Sequence, residues 1–254
     1  MAISVDRVYQ TVLALANKEQ RGYITPQEFN LFANHAQNEI FEQYFYDLNQ
    51  QRRLPGNSTI TSDAEDILEE KIGIHRRQGE DEYSIGQSVQ DEYEGFITLN
   101  NIYKLETLRV RYPNHYGVGT VTAERLEPKD FYERRQTNLL SPSRQRPVYV
   151  VEQSGITSTQ HTFNIKICPF TEDSVAVPQL IQRPPAPNWT YVVVNDRPLW
   201  NASATDRQDF ILHDSEEKNL VIKILQLAGV AIKDYNLAQA AGSKEGQSIQ
   251  QEKA

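Results

Sequence analysis

Chemistry in this chain would have to come from its 34 carboxylates, 26 lysines and arginines, five histidines and one cysteine. The histidines (His35, His75, His115, His161 and His213) are scattered and never fall at i, i+4, so no zinc-protease helix is written here. No G-x-S-x-G, no G-x-x-x-x-G-K-[ST] and no paired-cysteine motif occurs. Cys168 alone excludes an intrachain disulfide and a multi-cysteine zinc site, and its place in a strand-like run reads as a packed thiol. The acidic run Asp63–Lys71 (DAEDILEEK) lacks the glycine-punctuated order of a calcium loop and reads as a solvated helix face. NHYGVGT, 114–120, carries a lone G-x-G without a following helix, which reads as a turn. The basic clusters are Arg76-Arg77, Arg134-Arg135 and Arg144/Arg146. They pair with neighbouring acids, dock an acidic partner surface or touch DNA phosphates. No catalytic, cofactor-binding or metal-ligating residue is assigned on this reading, and no cofactor is expected.

Net charge is −8, which argues against broad nucleic-acid binding, since that needs clustered cations to displace counterions. No apolar run approaches the roughly 20 residues of a membrane span. The start, MAISVDRVYQ, has no basic-then-apolar leader. A soluble, unexported chain with no membrane partner is the expectation.

The elements around these groups are clearest at the two ends of the chain. In 210–234, Asp214 with Glu217, or Ser215 one residue later, caps a helix with Leu220, Val221, Ile224, Leu225 and Ala228 in one stripe. Gly229 supplies its stop. Residues 3–20 hold an apolar face from Ile3 to Ala16. Thr25-Pro26-Gln27-Glu28 is a capping box with proline at the first helical position, opening an aromatic-rich helix to about Gln50. The two terminal helices are expected on opposite sides of this one. Thr61 or Ser62 caps the acidic helix.

Between the ends the period changes to two. Phe96–Leu99 and Tyr103–Arg111 read as strands separated by Asn100-Asn101. Glu127-Pro128 opens a short helix. Val148–Val151 and Thr162–Cys168 read as a hairpin turning through Gly155, with Phe163, Ile165 and Ile167 on one face. PQLIQRPPAPN, 178–188, reads as an extended crossing segment, and Tyr191–Val194 as a short strand before an Asn195-Asp196 turn. The expected fold is therefore α+β: a helical bundle formed by both chain ends with a central β-rich insertion. Its parts are 1–73 (N-terminal bundle helices), 74–95 (a long polar loop), 96–200 (the β-rich insertion with one short helix), 201–242 (C-terminal bundle helices) and 243–254 (a tail or arm). The tail, with Ile249 as its one large apolar residue, cannot bury enough surface to order itself. It is expected to be an arm that orders across an interface.

ANKEQRGYITPQEFNLFANHAQNEIFEQYFYDLNQ (16–50) resembles the N-terminal signature of virion structural proteins of tailed bacteriophages. PNWTYVVVNDRPLW (187–200), NLVIKILQLAGVAIKD and the QQEK-type tail resemble their other end. The arrangement is similar to the head–tail adaptor, or tail-tubular A-type, ring protein of short-tailed phages. That resemblance implies a dodecameric ring of copies of the chain at the head–tail junction of the virion. It also implies synthesis in the host cytoplasm, contact with the portal protein and with the tail nozzle or next ring, and passage of DNA without specific binding. No catalysis is implied. Acids in DAEDILEEK or in EDEYSIGQSVQDEYE (80–94) are the candidates for a channel lining. Another neck, tail or tail-tube ring is the alternative, and a metal-dependent nucleic-acid-processing enzyme a second.

Overall fold

The computed structural model describes residues 3–18, 24–53, 59–77, 82–88, 92–113, 120–157 and 160–231, and these form an α+β fold. In chain order, three helices come first: α1 (Val5–Lys18), α2 (Pro26–Gln51) and α3 (Thr59–Gly73). Six strands follow: β1 (Tyr83–Ser84), β2 (Gly86–Gln87), β3 (Gly95–Asn100), β4 (Ile102–Arg111), β5 (Val121–Thr122) and β6 (Glu124–Arg125). After α4 (Pro128–Gln136) come β7 (Val148–Thr157), β8 (Gln160–Cys168), β9 (Val175–Gln182), β10 (Tyr191–Val194), β11 (Arg197–Trp200) and α5 (Glu217–Ala231). They divide into two compact units, one from Met1–Ile74 with Pro184–Ala254, the other His75–Arg183.

In the first unit, α2 starts as its sequence dictates. Thr25 Oγ1 accepts from the Glu28 amide at 3.3 Å, and Glu28 Oε2 accepts from the Thr25 amide at 3.0 Å. Phe29, Ala33, Ala36, Gln37, Ile40, Phe41 and Tyr44 make its buried stripe. α2 packs on α3 and α5, while α5 also packs on α1. The expectation of α1 and α5 on opposite sides of α2 is thus corrected. Leu220, Val221, Ile224, Leu225 and Ala228 are all buried, a stripe broad enough for two partners. Chain ends meet at a bridge in which Ile3 and Phe210 exchange two backbone hydrogen bonds of 3.1 Å. Asp209 Oδ1 then accepts from the Val5 amide at 3.0 Å, so the first free donor of α1 is satisfied from the far end of the sequence.

Two helix boundaries also need correction. His213, not Asp214 or Ser215, is the cap: its ring Nδ1 accepts from the Ser215 amide, and a 3-10 turn (Asp214–Glu216) precedes α5. α5 runs through Gly229 to Ala231; that glycine is buried, and packing outweighs the ~1 kcal/mol helix penalty of glycine. α3 begins at Thr59, ahead of the expected caps Thr61 and Ser62. Helical turns expected at 235–241 and the arm at 243–254 lie outside the described residues, as does the G-x-G at 114–119.

The second unit is a two-sheet sandwich. One sheet has the order β1-β9-β4-β5, the other β2-β3-β8-β7-β6, antiparallel except where β6 meets β7. Their shared core holds Ile97, Leu99, Leu108, Val110, Tyr149, Ile165, Ile167, Ala176 and Leu180. Although β3 and β4 are adjacent in sequence, they do not pair; Asn101, at φ 56°, sends the chain from one sheet to the other. Gly95 is needed at its place, because a Cβ there would collide with Ile85 and Phe170. α4 lies over the outer face of the five-stranded sheet, Phe131 packing on Val148, Val150 and Cys168.

Several expected spans shift. The polar stretch 74–95 is not all loop, for it holds β1, β2 and the bridge Arg76–Ile181. The β-rich unit ends at Arg183, and the β10–β11 hairpin falls in the other unit. β7 runs through Gly155 and pairs with β8 as far as Thr157 opposite Gln160, which corrects the turn expected at Gly155. Pro178 sits inside β9, opposite Leu108. On β9's other edge the backbones of Leu180 and Gln182 bond to the 75–77 stretch, while Ala176 pairs with Tyr83. By parity the nitrogen of Pro178 points away from β4, so a proline there costs the β4–β9 ladder no hydrogen bond.

Candidate functional site

Charges gather most densely under α4. Lys166 on β8 lies 3.3 Å from Glu94 and 3.1 Å from Glu152, and donates to the Tyr132 hydroxyl at 3.1 Å. Arg135 reaches the same Glu94 at 2.9 Å. Glu94 is buried, as two cations on one carboxylate permit. Burial disfavours the Lys166 ammonium, but hydrogen bonds with Tyr132, Glu152 and Glu94 outweigh it and hold its pKa above the ordinary lysine range. Such a lysine is neither a nucleophile nor a base. Both carboxylates are neutralised by cations, so the group is a closed network that pins α4 to the sheet.

Several other sequence-flagged groups are likewise internally engaged, whereas Arg144 and Arg146 are exposed. Arg134 makes a two-pronged pair with Glu124 at 2.8 and 3.1 Å, and that hydrogen bonding holds the Glu124 carboxyl below its usual range. Arg76 donates to Glu106 from Nη2 at 3.0 Å, with Nε in ion contact at 2.8 Å. Cys168 is buried beneath Phe131. His75 is buried, and burial lowers its pKa to about 4, so the ring is neutral near pH 7. Burial, helped by the nearby Cys168, raises the Tyr112 phenol; its hydroxyl donates to the Pro169 carbonyl at 3.0 Å. Among the described residues, no group of three His, Cys, Asp or Glu side chains could hold a metal. No helix among them is long and apolar enough to cross a membrane.

The first unit holds a second polar cluster that sequence reasoning missed. Gln37, fully buried, donates to the Pro185 carbonyl at 2.8 Å and accepts from the Ile211 amide at 3.1 Å. Two turns earlier, Asn30 holds the backbone of Trp189. Trp189 Nε1 donates to Asp6 at 2.9 Å, and its ring packs against Tyr9, Tyr191 and Trp200. Lys71, half-buried, pairs with the buried Glu216 at 2.7 Å. No local signal could reveal the polar partners, because each of those pairs is separated by more than a hundred residues.

What remains open to solvent is surface. Of the described acids of 80–94, Glu82 pairs with Arg111, Glu94 is buried and Glu92 is exposed, while Glu80, Asp81 and Asp91 lie outside the described residues. On α3, Arg52 takes Glu65 and Glu69, leaving Asp63, Asp66 and Glu70 exposed. Exposed apolar side chains cluster at two places: Val192, Val193, Val194 and Leu199 on the β10–β11 hairpin, and Leu139 (91% exposed) with Leu140 (61%) after α4. No protein-family model and no curated protein matches the chain.

Proposed function

We propose that this chain is a virion structural protein of a tailed bacteriophage, a head–tail adaptor ring subunit between portal and tail that lines the DNA channel and carries out no catalysis. In this reading the helices of both chain ends form one bundle, and the β-rich insertion lies between them in the sequence. The packing of α5 on α1 and α2 supports that arrangement. The partners are copies of itself in a ring, the portal protein and the tail nozzle or next ring, with DNA passing without specific binding.

One observation carries the proposal: the densest charge cluster, around Glu94 and Lys166, is spent on internal pairs, while large apolar side chains are left on ordered surface. Leu139, Leu140, Val193 and Leu199 are each more than half exposed. Side chains of this size grouped on ordered elements mark association surfaces rather than chemistry. The chain's net charge of −8 suits a channel wall, since carboxylates repel the phosphates that basic residues would retain.

Electron microscopy of the purified protein mixed with portal, and of virions carrying a labelled copy, tests this directly. The expected image is a closed ring at the head–tail junction. Free monomer in the presence of portal, or label along a fibre, overturns it.

A further inference from the structure

The connection from α4 to β7 presents apolar and basic groups together. Leu139 and Leu140 stand out of a turn held by the Leu140 amide on the Thr137 carbonyl at 3.2 Å. Four residues on, Ser143 and Arg146 exchange backbone hydrogen bonds of 2.9 and 3.3 Å, a tight turn that displays Arg144 and Arg146. Both arginines are exposed, and neither forms an ion pair among the described residues. Every other arginine of the clusters Arg76-Arg77 and Arg134-Arg135 has a partner. This surface is ordered by its own turns, so little conformational freedom is lost when it is covered.

A surface of opposite charge and the same mixed character exists on the chain itself. Asp63, Asp66 and Glu70 fall at i, i+3 and i+7 of α3, one helical stripe, with Ile67 between them 54% exposed. None of the three carboxylates has an ion-pair partner among the described residues.

We propose that the Leu139–Arg146 surface of one copy docks on the Asp63–Glu70 stripe of α3 in a second copy. This inference rests on the ring reading and supplies its contact. Leu139 and Leu140 would cover Ile67, while Arg144 and Arg146 take the carboxylates around it. Two different patches meeting in this way make a heterologous contact, the kind that closes rings when the rotation allows. DNA is the weaker occupant, because phosphates offer nothing to the leucines and the chain's net charge of −8 opposes it. Charge pairing would set orientation, and the apolar centre would supply most of the adhesion.

The test is charge exchange in the full chain, followed by sedimentation velocity at moderate salt. Arg144→Glu/Arg146→Glu and Asp66→Lys/Glu70→Lys, both at exposed sites, should keep the wild-type melt yet each weaken self-association at least about tenfold. Equimolar mixing should restore it, because each variant then meets its complement. Wild-type association in the arginine variant overturns the contact, as does loss in both variants without recovery on mixing. In either case the ring reading survives if the wild type still forms rings. A wild type that stays monomeric at all concentrations and with portal overturns both. Salt-sensitive retention of a short DNA duplex that the arginine variant loses, with association unchanged, assigns the surface to DNA and overturns the contact.

Discussion

The side-chain amide of Asn30 pairs with both halves of the Trp189 residue backbone. Its Oδ1 accepts from the Trp189 amide at 2.9 Å, and its Nδ2 donates to the Trp189 carbonyl at 3.3 Å. A neighbouring strand would satisfy a residue in the same way, but here the partner is a helix side chain. The pairing sets Trp189 in the ring cluster of Tyr9, Tyr191 and Trp200, and so places the base of the β10–β11 hairpin. Asn30→Ala strands a buried N–H and C=O, so a loss of about 1–3 kcal/mol is expected. Thermal melts measure it, and an altered tryptophan emission should accompany the loss. An unchanged melt would show that water replaces the amide at no cost.

Lys71 and Glu216 give a sharper case. Lys71→Met leaves the Glu216 carboxylate buried with only the Asn219 amide, at 3.0 Å, for company. About 3–5 kcal/mol should be lost, and Lys71→Met/Glu216→Leu should recover most of it. Urea denaturation of the two variants decides. A double variant no more stable than the single would show that the pair is not the source.

These two relationships mark where sequence reading stops. The capping box at Thr25 and Glu28, the alternation of Phe163, Ile165 and Ile167, and the Asn195-Asp196 turn (φ 51° and 58°) are local, and local spacing was enough to read them. Asn30 and Gln37 look like ordinary polar positions on an amphipathic helix, and their partners Pro185, Trp189 and Ile211 lie in or beyond a proline-dense stretch that reads only as an extended crossing segment. Asn100-Asn101 has the composition of a hairpin turn, yet it joins two sheets, because sheet membership depends on partners that come later in the chain. His213 was one of five scattered histidines until the helix beside it required an acceptor. Of the candidate docking surface, Arg144 and Arg146 were legible as a cluster. Their lack of an ion pair among the described residues was not, since that depends on where every carboxylate ends up.

The broad stripe of α5 predicts a steep cost for truncation. Ile224 is fully buried and Leu225 nearly so. Ile224→Ala should cost about 2–5 kcal/mol, with Leu225→Ala at the lower end of that range. Equal stability of both variants with the wild type would mean that α5 is not held by its neighbours.

His75 predicts an acid limb. Its pKa falls from the ordinary 6.5 to about 4 through burial, so below about pH 6.5 the unfolded chain binds a proton that the folded chain refuses. Stability is unaffected by this group above that pH and declines as pH falls from about 6.5 toward 4. The full loss is on the order of 3 kcal/mol. His75→Gln should flatten that limb between pH 6.5 and 4, as read from denaturation midpoints at each pH. An identical slope in the variant would assign the acid sensitivity to the carboxylates instead.

α4 predicts a chemical readout, because the chain has a single cysteine. Cys168 is buried under Phe131, and the ion pairs from Glu94 to Arg135 and Lys166 hold the helix down over it. A thiol reagent reaches that sulfur only when α4 lifts, so the labelling rate reports the free energy of that local opening. Phe131→Ala removes the apolar plug and should cost about 3–5 kcal/mol. Glu94→Gln removes the charge that both cations share, and the loss left behind is that of a broken buried pair. Both variants should label faster than the wild type under native conditions. Tyr132→Phe keeps the ring and removes only the hydroxyl between Lys166 and Glu152, so its labelling should stay near the wild-type rate. If Glu94→Gln labels no faster than Tyr132→Phe, the ion pairs do not secure α4, and Phe131 alone does.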